Sequence, residues 1–251
     1  MRMARLVATV AMAGTLCLAP MTSTARGQAG PEEPALVLQL DFLDVAGTKV
    51  HDAAGHGYEA TLVGARLVTE RKRTAVKFDG HGLVRLTDGA PTLPVERRAL
   101  TVGARCKPAS PNGVMVSMGD ALNGFSLYLQ DGIPRFAVRS KGVLSTVIGS
   151  APLELGAWAH VAGVIGARGE LTLVVDTMPD GTARGSMLDG APAESLTIGA
   201  DPGSPVADYA GATQWNGLLA DVRLYWGEVG RKQAAAILGD WADRPMCGTG
   251  Q

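Results

Sequence analysis

Cysteine is scarce. Three residues in 251, Cys17, Cys106 and Cys247, are too few for a disulfide-dense scaffold, and a chain of this size buries enough surface to need neither bridges nor a metal for its core. No stretch after the first 20 residues is long and apolar enough for the roughly 20 residues of a bilayer-spanning helix. There is also no basic excess: 23 Lys and Arg stand against 24 Asp and Glu, whereas a phosphate-binding surface needs one. The run Arg71-Lys72-Arg73 sits beside Glu70 and reads as a solvated turn. Two acids presented on one face of a strand need i, i+2 spacing, and no Asp or Glu pair has it. A strand presenting the paired carboxylates of glycoside hydrolysis, which stand about 5–9 Å apart, is therefore missing. A Gly-x-Ser-x-Gly elbow, a His-Glu-x-x-His pair and a phosphate loop are missing too, and the four histidines have no ligand spacing.

What is present begins with a leader. Arg2 and Arg5 precede an apolar run from Leu6 to Ala19, and a polar, small-residue stretch follows to Ala29. This is the order of a secretory signal. Residues 1–29 are expected to leave on export, taking Cys17 and three basic residues with them, so 20 bases and 24 acids remain and the net charge is −4. Cys106 and Cys247 then allow either a disulfide closing a long loop or two inert thiols. Residues 30–35 read as a linker and 241–251 as a tail.

Between them the pattern is of short alternating runs broken by turns, with 33 glycines and 14 prolines as punctuation. Strands are expected at Leu36–Phe42, Thr74–Phe78, Leu100–Cys106, Val114–Met118, Phe125–Gln130, Arg135–Arg139, Ala157–Ile165, Glu170–Asp176, Ser195–Gly199 and Leu218–Tyr225. Asn123-Gly124 and Asp131-Gly132 are turn signals. One short helix is expected at about Gly230 to Leu238. Trp158 and His160 lie two apart on one strand and are expected to pack in the core. Many strands without alternating helices indicate a single all-β, two-sheet antiparallel sandwich.

The order of these segments resembles the laminin-G-like, concanavalin A-like lectin-glucanase jelly-roll family over residues 36–240. The resemblance is carried by Leu40-Asp41-Phe42, by Val50-His51-Asp52-Ala53-Ala54-Gly55-His56-Gly57, by Val76-Lys77-Phe78-Asp79-Gly80, by Leu155-Gly156-Ala157-Trp158-Ala159-His160-Val161 and by Asn216 to Tyr225. Departures are His56 where the family's loop has Asn, Ala54 where it has Ser, Arg105 where it often has Trp, and Thr177 where Gly usually follows Val175-Asp176. Many relatives hold a structural calcium at the sandwich edge. The resemblance therefore implies Asp52, Asp221 and Asp41 as its carboxylate ligands. Tyr209, Trp215 and Asn216 in a glycine-rich loop are the expected ligand-binding residues, an aromatic stacking on a sugar beside an amide that bonds its hydroxyls. The expected function is a secreted or cell-surface, non-catalytic binding module for glycans or a surface partner. A structural component of the envelope, or a polysaccharide hydrolase or lyase, are the alternatives.

Overall fold

The computed structural model describes residues 33–70, 73–87 and 93–230. Among them the chain forms seventeen strands: β1 (Ala35–Leu40), β2 (Val45–Ala46), β3 (Lys49–His51), β4 (Glu59–Val63), β5 (Arg66–Glu70), β6 (Arg73–Asp79), β7 (Leu83–Leu86), β8 (Leu100–Pro108), β9 (Gly113–Gly119), β10 (Gly124–Gln130), β11 (Ile133–Ser140), β12 (Val143–Ile148), β13 (Ala159–Ile165), β14 (Leu171–Val175), β15 (Met178–Ala183), β16 (Thr197–Ile198) and β17 (Asn216–Trp226). They make two antiparallel sheets. One has eight strands in the order β15-β14-β13-β8-β17-β6-β5, with β1 also paired to β17; the other has nine, in the order β12-β11-β10-β9-β16-β7-β4-β3-β2. This is the expected jelly-roll sandwich. The helix expected from Gly230 to Leu238 and Cys247 lie outside the described residues, apart from Gly230; Cys106 is buried in the core.

The core lies between the sheets. Phe42, Phe78, Phe125, Phe136, Met115 and Trp215 are its large fully buried side chains. Side chains on a strand alternate between faces, so Leu100, Val102, Ala104 and Cys106 of β8 point inward, as the sequence pattern predicts. Two-residue turns set the register of three hairpins. At Asp131-Gly132, Lys141-Gly142 and Asp176-Thr177 both residues have positive φ, the form that matches the twist of the flanking strands. The third turn places Thr177 at φ 80, in a region disfavoured for a β-branched residue.

Trp158 and His160 are not in the inter-sheet core, contrary to expectation. Val161 takes the inward position, so His160 faces outward, beside Arg105 across the strand pair. Trp158 is half-buried under the Arg105 guanidinium, 5.3 Å from its ring centroid, and its indole N–H donates to Glu70 at 3.1 Å. His160 is nonetheless only 7% exposed. Burial, followed by the charges of Arg223 and Arg105, lowers its pKa to about 3.

Two outcomes follow. Thr177→Gly removes backbone strain of about 1–3 kcal/mol against an entropic penalty of about 0.5–1 kcal/mol, and is expected to raise the melting temperature by about 2–4 °C. His160 stays neutral in the fold, while the unfolded chain takes up a proton near pH 6.5. Its contribution to stability is therefore complete above pH 6.5 and falls by about 1.4 kcal/mol per pH unit towards pH 3. Urea midpoints measured between pH 7 and 4 are expected to drop more steeply in the wild type than in His160→Gln.

Candidate functional site

The outer face of the nine-stranded sheet follows from its inner face. Ala60 and Leu62, Val84 and Leu86, Val116 and Met118, Phe125 and Leu127, Phe136 and Val138 all enter the core. The residues between them must face out. Strand register then lines up Lys49, Thr61, Arg85, Thr197, Ser117, Ser126, Ala137 and Thr146 across eight neighbouring strands. All but Ala137 are polar.

Half of this row is roofed by the segment from Gly199 to Trp215. The base of the loop is pinned where Gly199 N–H donates to the Met115 carbonyl (2.9 Å) and Trp215 N–H donates to the Gly199 carbonyl (2.8 Å). Gly199 has φ 86, and a Cβ there would lie 2.3 Å from the Phe78 ring, so glycine is required. Over the sheet, Val206 N–H donates to Asp201 Oδ2 at 3.0 Å. The Tyr209 hydroxyl donates to Asp201 and lies 2.8 Å from Ser126 Oγ. Arg139 donates to the Val206 carbonyl (2.7 Å) and to Asp208 Oδ1 (2.7 Å). Between loop and sheet, Ala207 of the loop packs with Val114, Tyr128 and Ala137 in a separate apolar cluster, and the Tyr209 ring is edge-on to Tyr128 at 5.0 Å. Burial raises the pKa of Asp201, although its bonds to Tyr209 and Val206 act against the shift. Burial and the neighbouring Asp201 charge hold the Tyr209 hydroxyl well above the usual phenol range.

Beside this roof lies a pocket of about 220 Å³. Its floor is Ser117 and Thr197, its walls include Gly119, Glu194, Ser195, Asp201 and Pro202, and Arg85 stands at its side. The two floor hydroxyls are 2.8 Å apart and both reach the Ala200 carbonyl, at 2.9 and 2.8 Å. Each has a single proton. With those protons committed inside the protein, the floor offers lone pairs. Arg85, exposed and in no salt bridge among the described residues, offers donors. Glu194 accepts from Ser204 N–H at 2.8 Å.

The residues singled out in the sequence lie elsewhere, except Tyr209. Trp215 is 1% exposed within the core, so as folded it has no free face for a sugar ring, which corrects the stacking role expected of it. Asn216 opens β17 in the opposite sheet, where its carbonyl accepts from Ala109 N–H at 2.9 Å. Tyr209 does lie on the site's side of the molecule, as the post that holds the loop down. The three carboxylates expected to bind calcium gather around Gln39. Asp52 accepts from the amides of Gln39, Ala54 and His56 at 2.9–3.0 Å. Asp221 accepts from the Gln39 side-chain amide (3.0 Å) and pairs with Arg223 through both oxygens, at 2.9 and 2.8 Å. Asp41 accepts from Leu43 N–H at 3.0 Å, and burial with the charge of Asp221 raises its pKa, chiefly through burial. Calcium needs oxygens free to turn towards it. Here Asp52 and Asp41 face backbone N–H donors, and Asp221 faces an amide and a guanidinium.

Comparison with known proteins supports the same architecture. No curated protein matches the chain. Among solved structures, domain 4 of AbnA, a GH43 extracellular arabinanase from Geobacillus stearothermophilus, solved with arabinotriose, superposes with a TM-score of 0.62 at 18% identity, over 82% of this chain and 99% of that one. The binding domain of Paraclostridial Mosquitocidal Protein 1 gives 0.63 at 12% identity over 82% of this chain, which spans about half of that domain, 52%. The heptameric SAP-like pentraxin of Limulus polyphemus gives 0.50 at 20% identity, over 65% of this chain and 80% of that one. At these identities the likeness is one of fold. The family model described as the concanavalin A-like lectin/glucanases superfamily matches residues 78–234, and the chain belongs to that superfamily.

Proposed function

We propose that this chain is a non-catalytic carbohydrate-binding module whose ligand seats in the pocket beside Arg85. The observation that carries this reading is the pairing of a hydroxyl floor, whose protons are spent, with a free guanidinium at its side. A sugar hydroxyl both donates and accepts, so it can satisfy the floor and Arg85 together. The arabinotriose complex of the Geobacillus domain supports a glycan as the ligand class. Glu194 and Asp201 border the pocket, but both hold loop N–H or O–H groups. That role suits a fixed binding wall better than a pair of acids exchanging protons. Secretion through the leader at 1–29, with residues 36–240 as the folded module, belongs to the same proposal. Among the described residues no helix is long and apolar enough to cross a membrane.

The test is a printed glycan array that includes arabinotriose, probed with the wild type and with Arg85→Ala. Binding to at least one glycan is expected. Because a hydrogen bond to a charged group contributes about 1.5–3 kcal/mol, affinity is expected to fall about tenfold or more in the variant. Silence across the array, or full affinity in the variant, would remove the pocket from consideration. Calcium has no part in this reading, so the melting temperature is expected to be the same in calcium and in chelator. A fall in chelator that is abolished by Asp52→Ala would restore the ion.

A further inference from the structure

The polar row on the outer face is not open along its length. At Lys49, Thr61 and Arg85 it is accessible. At Ser126 and Ala137 it is fully covered, each being 0% exposed, because the loop bearing Ala207 and Tyr209 lies on top. A polymer laid along the row from the Thr61 side would pass Arg85, come to the nearly covered Thr197 and Ser117 (4% and 1% exposed), and meet Asp201 and Pro202.

The neighbouring walls are closed as well. Gly119 N–H donates to the Glu194 carbonyl at 3.0 Å, which seals the pocket at the end of β9. The Glu194 side chain then reaches across to Ser204 N–H at 2.8 Å and ties the segment before β16 to the roofing loop. The fit is close: a Cβ on Gly203 would lie 1.8 Å from Glu194 Oε2, so the carboxylate rests directly on the bare glycine. The roof itself is held by five contacts, from Asp201 to Val206 and to Tyr209, from Tyr209 to Ser126, and from Arg139 to Val206 and Asp208. Two of these involve a buried carboxylate, and Arg139 is itself largely buried. The wall is therefore a fixed part of the fold and not a lid. The space it leaves, about 220 Å³, is below the roughly 300–1,000 Å³ of pockets that take drug-sized ligands.

We infer that the pocket binds the terminal unit of a glycan chain, the rest of the chain leaving past Arg85 towards Thr61, and that it excludes the interior of a polymer. This rests on the reading of the pocket as a carbohydrate site and adds to it which part of the carbohydrate is recognised. A dead-ended pocket matches a ring with one glycosidic link, since a ring with links on both sides must continue through Asp201 and Pro202.

The experiment uses linear arabino-, xylo-, gluco- and manno-oligosaccharides, each immobilised through one end with the other end either free or blocked by a bulky ether, in both polarities. The wild type is expected to bind a free-ended form and to lose at least tenfold in affinity when that end is blocked. A second protein, with residues 201–208 replaced by a short Gly-Ser turn, opens the wall. It is expected to bind free and blocked forms alike. If that variant does not fold, the comparison of free and blocked ends on the wild type decides alone. Equal wild-type affinity for free and blocked ends would overturn end recognition and leave a binding module with an open cleft. No binding to any form would overturn the carbohydrate reading and this inference with it.

Discussion

Successive side chains on a strand must point to opposite faces, and nearly everything in this molecule follows from that one constraint. Burying Phe125, Leu127 and Leu129 between the sheets obliges Ser126 and Tyr128 to stand outside. Burying Val116 and Met118 turns Ser117 to the outer face, and burying Leu196 and Ile198 turns Thr197 the same way, although the roofing loop leaves both nearly covered. The ladder pairs these outward residues in one line because the register is fixed by the inward ones, and a slip of a single residue would put hydroxyls into the core. The polar row is thus the reverse side of the hydrophobic core. Its straightness needs no separate explanation.

Carboxylates in this protein mostly organise loops. Asp52 collects three backbone amides to shape the turn after β3, Asp120 accepts from Leu122 and Asn123 to close the β9–β10 connection, and Asp201 holds the roofing loop through Val206 and Tyr209. The physical reason is shared. A loop crossing a sheet face buries amides that no strand partner can satisfy, and a carboxylate with several lone pairs is the densest acceptor available. Asp201 differs from the other two in being buried, which is why its pKa rises. It accepts from an O–H as well as an N–H, and so joins the loop to the Ser126 side of the sheet through Tyr209.

Much of the fold was legible in the sequence because the inner strands carry strict alternation. Leu100–Cys106, Phe125–Gln130 and Arg135–Arg139 all fall within observed strands. Some strands that escaped notice, β4 and β7, lie inside the nine-stranded sheet and are only four or five residues long, while β12 and β15 are edge elements. In β12, Val143 and Ile148 are exposed; in β15, Met178 is exposed. There a half-solvated strand has no apolar period to display. The site was less legible still. Arg85, Ser117, Ser126 and Thr197 are single polar residues in separate strands, and only the register brings them together. Trp215 misled for the opposite reason. Its glycine-rich surroundings read as an exposed loop, yet the hydrogen bond that Trp215 N–H donates to the Gly199 carbonyl pins the end of that loop, and the indole lies in the core. The best available signal was Asp201 followed by Pro202-Gly203, a carboxylate opening a turn.

The division of labour at the pocket also accounts for its rigidity. Ser117 and Thr197 are held by each other and by the Ala200 carbonyl, so the acceptors they present have fixed directions before any ligand arrives. The same carbonyl begins the loop whose far side is anchored by Tyr209 and Arg139. Floor and wall are therefore one hydrogen-bonded unit, and a displacement of the loop would release the floor hydroxyls to donate elsewhere. A ligand entering such a site pays little to order it, which favours affinity from a small contact area. Only Arg85, exposed and long, retains freedom to adjust. A pocket of one ring's size with a single adjustable donor discriminates chiefly by shape: its fixed parts accept or reject the ring, and its mobile part secures whatever is accepted.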